Sequence, residues 1–170
     1  MKLLKPIHKY SGEIMEYREA FLHAEEQPHG SSSLQNFDSL DEWFAKVSIQ
    51  EIGESLPLNR VPSSQFLSFE KGELIGFVNI RHRLNSELLL ESGHIGYSVH
   101  PNKRRQGYAT KQLQLSLAEA KKLGLKKVLI TCDKANIGSA KTVQKVGGVL
   151  ENEVISTHTG EIVHRYWVEI

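Results

Sequence analysis

Six residues past the middle of the chain, Arg104-Arg105-Gln106-Gly107-Tyr108-Ala109, constrain the fold more than any others, because they join a β-type run directly to an amphipathic helical one. Ser92 to His100 reads as a strand, and Pro101 stops it. Gly107 to Leu123 sets Leu113, Leu117, Ala120 and Leu123 on one helical face, with Gly124 placed as a C-terminal cap. The first N–H groups of such a helix have no partner of their own and lie at its positive pole, where an anion is stabilised. Gly107 lets the backbone approach a guest without a Cβ in the way. Thr110 adds a hydroxyl, and Lys103, Arg104, Arg105 and Lys111 add positive charge. The spacing R-x-x-G-x-A alone would also suit a plain basic loop; its place between strand and helix gives it weight.

The rest of the chain frames this unit. Ser11 to about Glu26 has helical spacing of Ile14, Tyr17, Phe21 and Leu22, and Ser39 followed by Glu42 is a capping-box pattern opening a second helix with Trp43, Phe44 and Val47. Gln27–Asn36 and Gly53–Ser64 read as loops. Gln65–Phe69 and Leu74–His82 form a hairpin, and Leu84–Glu91 is a further loop. Lys127–Cys132 is a strand, Ile137–Val146 a helix, and Val149–Thr157 with Ile162–Glu169 a last hairpin around Thr159-Gly160. This order implies an α+β chain, a mixed sheet with helices on its faces.

A length of 170 residues suits one domain spanning 1–170. With 21 basic and 20 acidic residues the net charge is +1, which gives no support for nucleic-acid binding, so any phosphate site must be local. Cys132 is alone, so neither an internal disulfide nor a Cys-rich metal site is expected, and a reducing, cytoplasmic setting fits. No run is long enough for a signal peptide or a membrane span. The eight histidines show no H-E-x-x-H or other metal spacing, and neither a P-loop nor a G-x-G-x-x-G turn occurs, so no metal is expected.

Residues Gly93 to Gly148 resemble the core of the GNAT superfamily of N-acetyltransferases. Val99 to Thr110, of the form V-x-P-x-x-R-R-Q-G-Y-A-T, is similar to that family's most specific motif. The stretch from Asp133 through Asn136, Ser139 and Ala140 to Lys145-Val146-Gly147 is similar to its second. Together the two cover about a third of the chain. The resemblance implies acetyl-coenzyme A as cosubstrate and a mostly antiparallel sheet splayed between its fourth and fifth strands, here Ser92–His100 and Lys127–Cys132. It implies that backbone groups of Tyr97 and Val99 hold the pantetheine arm, that Arg104 to Thr110 (Arg104, Arg105, Gln106, Gly107, Tyr108, Ala109 and Thr110) hold the pyrophosphate, and that Asn136 and Ser139 contact the cofactor or the splayed strand.

The resemblance leaves the proton-transfer groups open. Relatives often carry a glutamate or histidine where this chain has Gly93, and a tyrosine where it has Val143. Strand alternation would place Glu91 with Gly93, Ile95 and Tyr97, making Glu91 the first candidate base and His94 the second; each could equally be a structural residue. Tyr97 and Tyr166 are candidate acids. Arg81-His82-Arg83 could hold an anionic group on an acceptor or be a solvated strand end, Glu25-Glu26 reads as a helix surface, and Cys132 reads as structural. The acceptor is an unidentified small-molecule or protein amine, and pairing of final strands would give a homodimer. The rival reading is a non-catalytic acyl-coenzyme A binding module.

Overall fold

A computed structural model describes all 170 residues. In chain order the elements are β1 (Lys2–Leu4), α1 (Ser11–His23), α2 (Leu40–Ile52), β2 (Ser63–Glu70), β3 (Glu73–Arg81), β4 (Ile95–Val99), α3 (Tyr108–Lys122), β5 (Lys127–Asp133), α4 (Ile137–Lys145), β6 (Val149–Ile155) and β7 (Ile162–Glu169). Side-chain alternation along the central strands divides the apolar residues between two cores. Leu67, Phe69 and Phe77 pack against Ile14, Tyr17 and Phe21 of α1 and Trp43, Phe44 and Val47 of α2. Their neighbours Phe66, Val78 and Ile80 face the other way, onto Leu113 and Ala120 of α3 and Ala140 and Val143 of α4, with Val128, Ile130, Tyr166 and Val168 completing that core. The helices therefore cover both faces, as expected of this α+β chain.

The strands form two antiparallel sheets, β1-β2-β3-β4 and β5-β7-β6. No ladder joins β4 to β5, and the splay falls at the expected place. The two sheets touch where β4 begins, through a hydrogen bond from the His94 N–H to the Leu129 carbonyl at 2.7 Å. Gly93 creates this approach. Its φ of +64° and ψ of −170° lie in a region almost reserved for glycine, and a Cβ there would stand 2.5 Å from the Leu129 carbonyl oxygen.

Several boundaries differ from the sequence-based expectations for physical reasons. β4 starts at Ile95 rather than Ser92, because Leu88–Ser92 winds into one π-helical turn that ends on Gly93. Glu91 is thus outside the strand, and alternation does not place it beside Tyr97. β1 pairs with β2, Lys2 opposite Phe69 and Leu4 opposite Leu67; three residues are too few to show a period. α1 ends at His23, short of Glu26. Ser39 does cap α2, accepting from the Asp41 amide at 3.2 Å.

Candidate active site

The opening between β4 and β5 has an unpaired edge on one side. His94 C=O accepts from Arg81 N–H and His100 N–H donates to Ile75 C=O, so the even-numbered residues of β4 are bonded to β3. In an antiparallel pair the intervening residues point the other way. The backbone groups of Ile95, Tyr97 and Val99 therefore face the opening. The Val99 carbonyl is met by Arg104 Nε at 3.3 Å, which ties the end of the strand to the turn that follows.

That turn is shaped by two left-handed residues, Arg105 at φ +63° and Gly107 at φ +80°. Arg105 tolerates the conformation at a small steric cost; Gly107 does so freely. Gly107 caps α3 with no side chain bonded across its N-terminus, and nothing lies within 4 Å of where its Cβ would be. The N–H groups of Gln106, Gly107, Tyr108, Ala109 and Thr110 have no acceptor in the chain; the first bonded amide is Lys111, to the Gly107 carbonyl at 3.3 Å. The cations around the turn are not equally available. Arg104 grips both carboxylate oxygens of Glu26, at 3.0 and 2.5 Å, and lies over the Phe21 ring. Lys103 is bonded to Glu73 at 2.8 Å, and Lys111 lies 3.8 Å from Glu70. Arg105 is in no ion pair and is exposed. Glu26 is thus an anchor for the turn.

Gln112 holds α3 to the sheet. It is fully buried and donates to the Phe77 and Ser98 carbonyls at 3.0 and 3.2 Å while accepting from Ser68 at 2.6 Å. Gly76 makes room, since a Cβ there would lie 2.3 Å from the Gln112 amide oxygen. Sequence reasoning missed Gln112; a polar residue on the inner face of the helix is the only signal it gave.

Across the opening, α4 is capped by Asn136, whose Oδ1 accepts from the Ser139 amide at 3.0 Å. The Ser139 hydroxyl sits 2.9 Å from the Tyr97 hydroxyl, so β4 and α4 are bridged by a pair of side chains across the gap. Burial raises Tyr97 to about 12, which keeps it protonated at neutral pH and able to donate. The half-buried Cys132 thiol adjoins this pair and is also raised by burial. Tyr166 contacts His164 Nδ1 at 3.1 Å, and His164 Nε2 lies 2.9 Å from Glu153.

The two residues expected as bases are engaged elsewhere. Glu91 accepts from the Thr157 amide and hydroxyl at 3.2 and 2.5 Å, and the Ser156 hydroxyl, then these Thr157 donors, hold its carboxyl below the usual range. Its own carbonyl accepts from Thr131 at 3.0 Å, so Glu91 clasps the β6–β7 turn to β5. His94 Nδ1 accepts from the Leu129 amide at 2.9 Å. That bond puts the remaining proton on Nε2, so the neutral ring has no free lone pair to take another. Burial, then the charge of Arg81, lowers His94 to about 4. Arg81 itself donates to the Ser92 and Gly93 carbonyls at 3.0 and 2.9 Å, fixing the same junction, and His82 lies 3.0 Å from Ser64.

The His94 environment has a consequence for stability. A histidine whose folded pKa is below its unfolded value stabilises fully above the unfolded pKa and loses that contribution as pH falls. Between pH 6.5 and about 4 the unfolded chain binds a proton that the native one refuses. Denaturant unfolding should show wild type losing ~1–3 kcal/mol more than His94→Gln over this window. Equal pH slopes in the two proteins would contradict the assigned tautomer.

Comparison with known proteins agrees with this geometry. Residues 10–149 match the acetyltransferase (GNAT) domain family. No curated protein matches the chain in sequence. Among solved structures, RimL, a ribosomal-protein alpha-N-acetyltransferase in complex with coenzyme A, superposes with a TM-score of 0.72 at 16% identity, over 99% of this chain and 93% of that one. RimJ from Mycobacterium smegmatis, with a coenzyme A disulfide, gives 0.75 at 16% identity, over 98% and 80%. A mutant spermidine N-acetyltransferase SpeG from Vibrio cholerae gives 0.65 at 15%, over 99% and 95%. No helix here is long and apolar enough to cross a membrane. With its family matched over most of its length and the family's splayed sheet in place, the chain belongs to the GNAT acetyltransferases, acyltransferases that use acetyl-coenzyme A.

Proposed function

We propose that this protein moves an acetyl group directly from acetyl-coenzyme A to a primary amine, without an acyl-enzyme. The observation that carries this reading is the run of five unpartnered amides, Gln106 to Thr110, placed at the end of the unpaired edge of β4. These groups suit the two ends of the cosubstrate. The amides and the open face of Gly107 fit a diphosphate, with Arg105 as the free cation. The outward backbone groups of Tyr97 and Val99 fit an amide-containing arm laid along the strand. When bound, the cosubstrate supplies an acetyl group activated as a thioester.

The chain's own residues then position and protonate. Tyr97 and Ser139 form the hydroxyl pair inside the opening, and Tyr97, protonated at neutral pH, is the proposed donor to the departing sulfur. Glu91 and His94 shape the junction in this proposal, and the amine's proton leaves to water. A thiolate is a stable leaving group, so the donor's contribution is modest. Tyr97→Phe should lower kcat about tenfold while leaving the KM for acetyl-coenzyme A within about twofold, because the strand's backbone is unchanged. An unchanged kcat would remove Tyr97 from the chemistry. The reading as a whole is tested by calorimetry with acetyl-coenzyme A and by thiol release with a panel of amines. Binding without release across the panel would favour a cofactor-sensing module.

A further inference from the structure

The acceptor side of the site has a chemical character of its own. A cavity of about 210 Å³ lies on the α1–α2 face of the sheet, walled by Gln27, His29, Gly30 and Gln35 of the loop after α1 and by Asn79 and Arg81 of β3. A second space of about 130 Å³ shares Ser32, Ser33, Asn79 and Arg81 with it and adds Lys46, Gln50, Arg60 and Glu87. Asn79 pairs with Gly96, and the loop wall at His29 and Gly30 lies on Gly96 and Ser98, so the cavity sits beside β4 on that face. The loop is closed down on the strand. Ser98 Oγ donates to the His29 carbonyl at 2.6 Å, and a Cβ on Gly30 would stand 2.2 Å from the Gly96 carbonyl oxygen. Trp43 Nε1 and Lys46 Nζ, both from α2, donate to the Ser31 and Ser32 carbonyls at 2.8 Å.

Three cations line these spaces, and none is in an ion pair: Lys46, Arg60 and Arg81 are absent from every carboxylate contact within 4.0 Å. The one carboxylate on the walls, Glu87, lies 3.5 Å from His158. Burial lowers both Lys46 and Arg81, Arg81 to about 10; the Glu87 carboxylate works against this at Arg81, and the charge of Arg60 adds to it at both. Gln35 and Gln50 border the spaces, but their amide oxygens are buried away from them. Cations without a carboxylate partner ask for an anion.

Resting on the acetyl-transfer reading above, we infer that the acceptor is a small amine that also carries a carboxylate or phosphate, with its anion held between Arg60, Lys46 and Arg81. A polyamine would bring further positive charge against three cations, which costs binding energy. The two small spaces, with the loop laid over β4, take a small molecule as they stand, whereas a protein terminus would need that loop to lift.

Matched amines test this: phosphoethanolamine with ethanolamine, aspartate with asparagine, and spermidine as the cationic member. Calorimetry on the protein loaded with coenzyme A gives binding, and thiol release from acetyl-coenzyme A gives kcat/KM. The anionic member of each pair should be preferred by about tenfold or more. Arg60 is exposed and its side chain makes no hydrogen bond, so Arg60→Gln should fold normally and lose most of that preference through KM, with kcat within about twofold. Lys46→Gln should act in the same direction. Preference for the neutral or cationic members, absence of binding by both anionic amines, or an unchanged preference in both variants would overturn the inference. If acetyl-coenzyme A binds and spermidine is acetylated best, only this inference falls; if acetyl-coenzyme A gives no heat, the transfer reading falls with it.

Discussion

Gly93→Ala should destabilise the protein by ~3 kcal/mol or more and lower Tm by about 6–12 °C, with loss of most activity at assay temperature. Two costs act together. The new Cβ would meet the Leu129 carbonyl oxygen at 2.5 Å and the Leu129 carbonyl carbon at 3.1 Å, both backbone atoms that no rotamer change can move. An L-residue at φ +64°, ψ −170° is strained even in open space. Relief would require β4 and β5 to part where they touch, breaking the 2.7 Å bond from His94 to Leu129 and the 2.9 Å bond from the Leu129 amide to the His94 ring. Gly107→Ala is the internal control. Its φ is also left-handed, at +80°, but nothing lies within 4 Å of the added methyl, so it should cost only ~1 kcal/mol. Similar losses in the two variants would show that strain alone, and not the strand junction, sets the penalty. The same geometry explains why this chain has no acidic or basic side chain at position 93: the backbone of β5 occupies the space.

Elements with a sustained period were legible in the sequence. Leu113, Leu117 and Ala120 repeat over enough turns to define α3, and a helix entered through glycine directly after a strand has few other uses for its free amides. What failed to show were features fixed by contact between distant segments. Glu91 and His94 looked like members of one strand because alternation assumes that the strand continues; the π-helical turn at Leu88–Ser92 interrupts it, and no local signal announces a turn of that kind. Thr157, which takes up the Glu91 carboxylate, is 66 residues away. Arg104 read as a phosphate-facing cation, yet it grips Glu26, 78 residues earlier. The cavity charge was half visible: Arg81 stood out in its basic cluster, while Lys46 and Arg60 belong to a helix and a loop that only the fold brings beside it. The Gln27–Asn36 segment reads only as a loop because it is polar, with a proline, a glycine and three serines in a row. Gly30 and the serines are what allow it to lie against β4, with Ser32 and Ser33 left-handed and Ser32 bonded into the buried Gln65–Asn79 network.

Ala109→Glu should separate stability from binding by moving them in opposite directions. α3 begins with no acidic residue in its first turn, and Ala109 is its second residue, half-exposed. A carboxylate there interacts favourably with the positive end of the helix and should stabilise the protein by ~0.3–1 kcal/mol. The same charge stands where the Gln106–Thr110 amides are open, so a diphosphate would meet repulsion in place of a free dipole. The acetyl-coenzyme A Kd should rise by about tenfold to a hundredfold, equivalent to ~1.4–2.8 kcal/mol. Because the effect is electrostatic at a solvent-facing site, the gap between variant and wild type should narrow as salt is raised. Ala109→Gln supplies the size without the charge. If it weakens binding as much as the glutamate, crowding is responsible; if the glutamate variant binds as tightly as wild type, the diphosphate does not sit on this turn. A variant that melts higher and binds worse has no explanation in general damage to the fold, and only a site at the helix's own N-terminus ties both changes to one side chain.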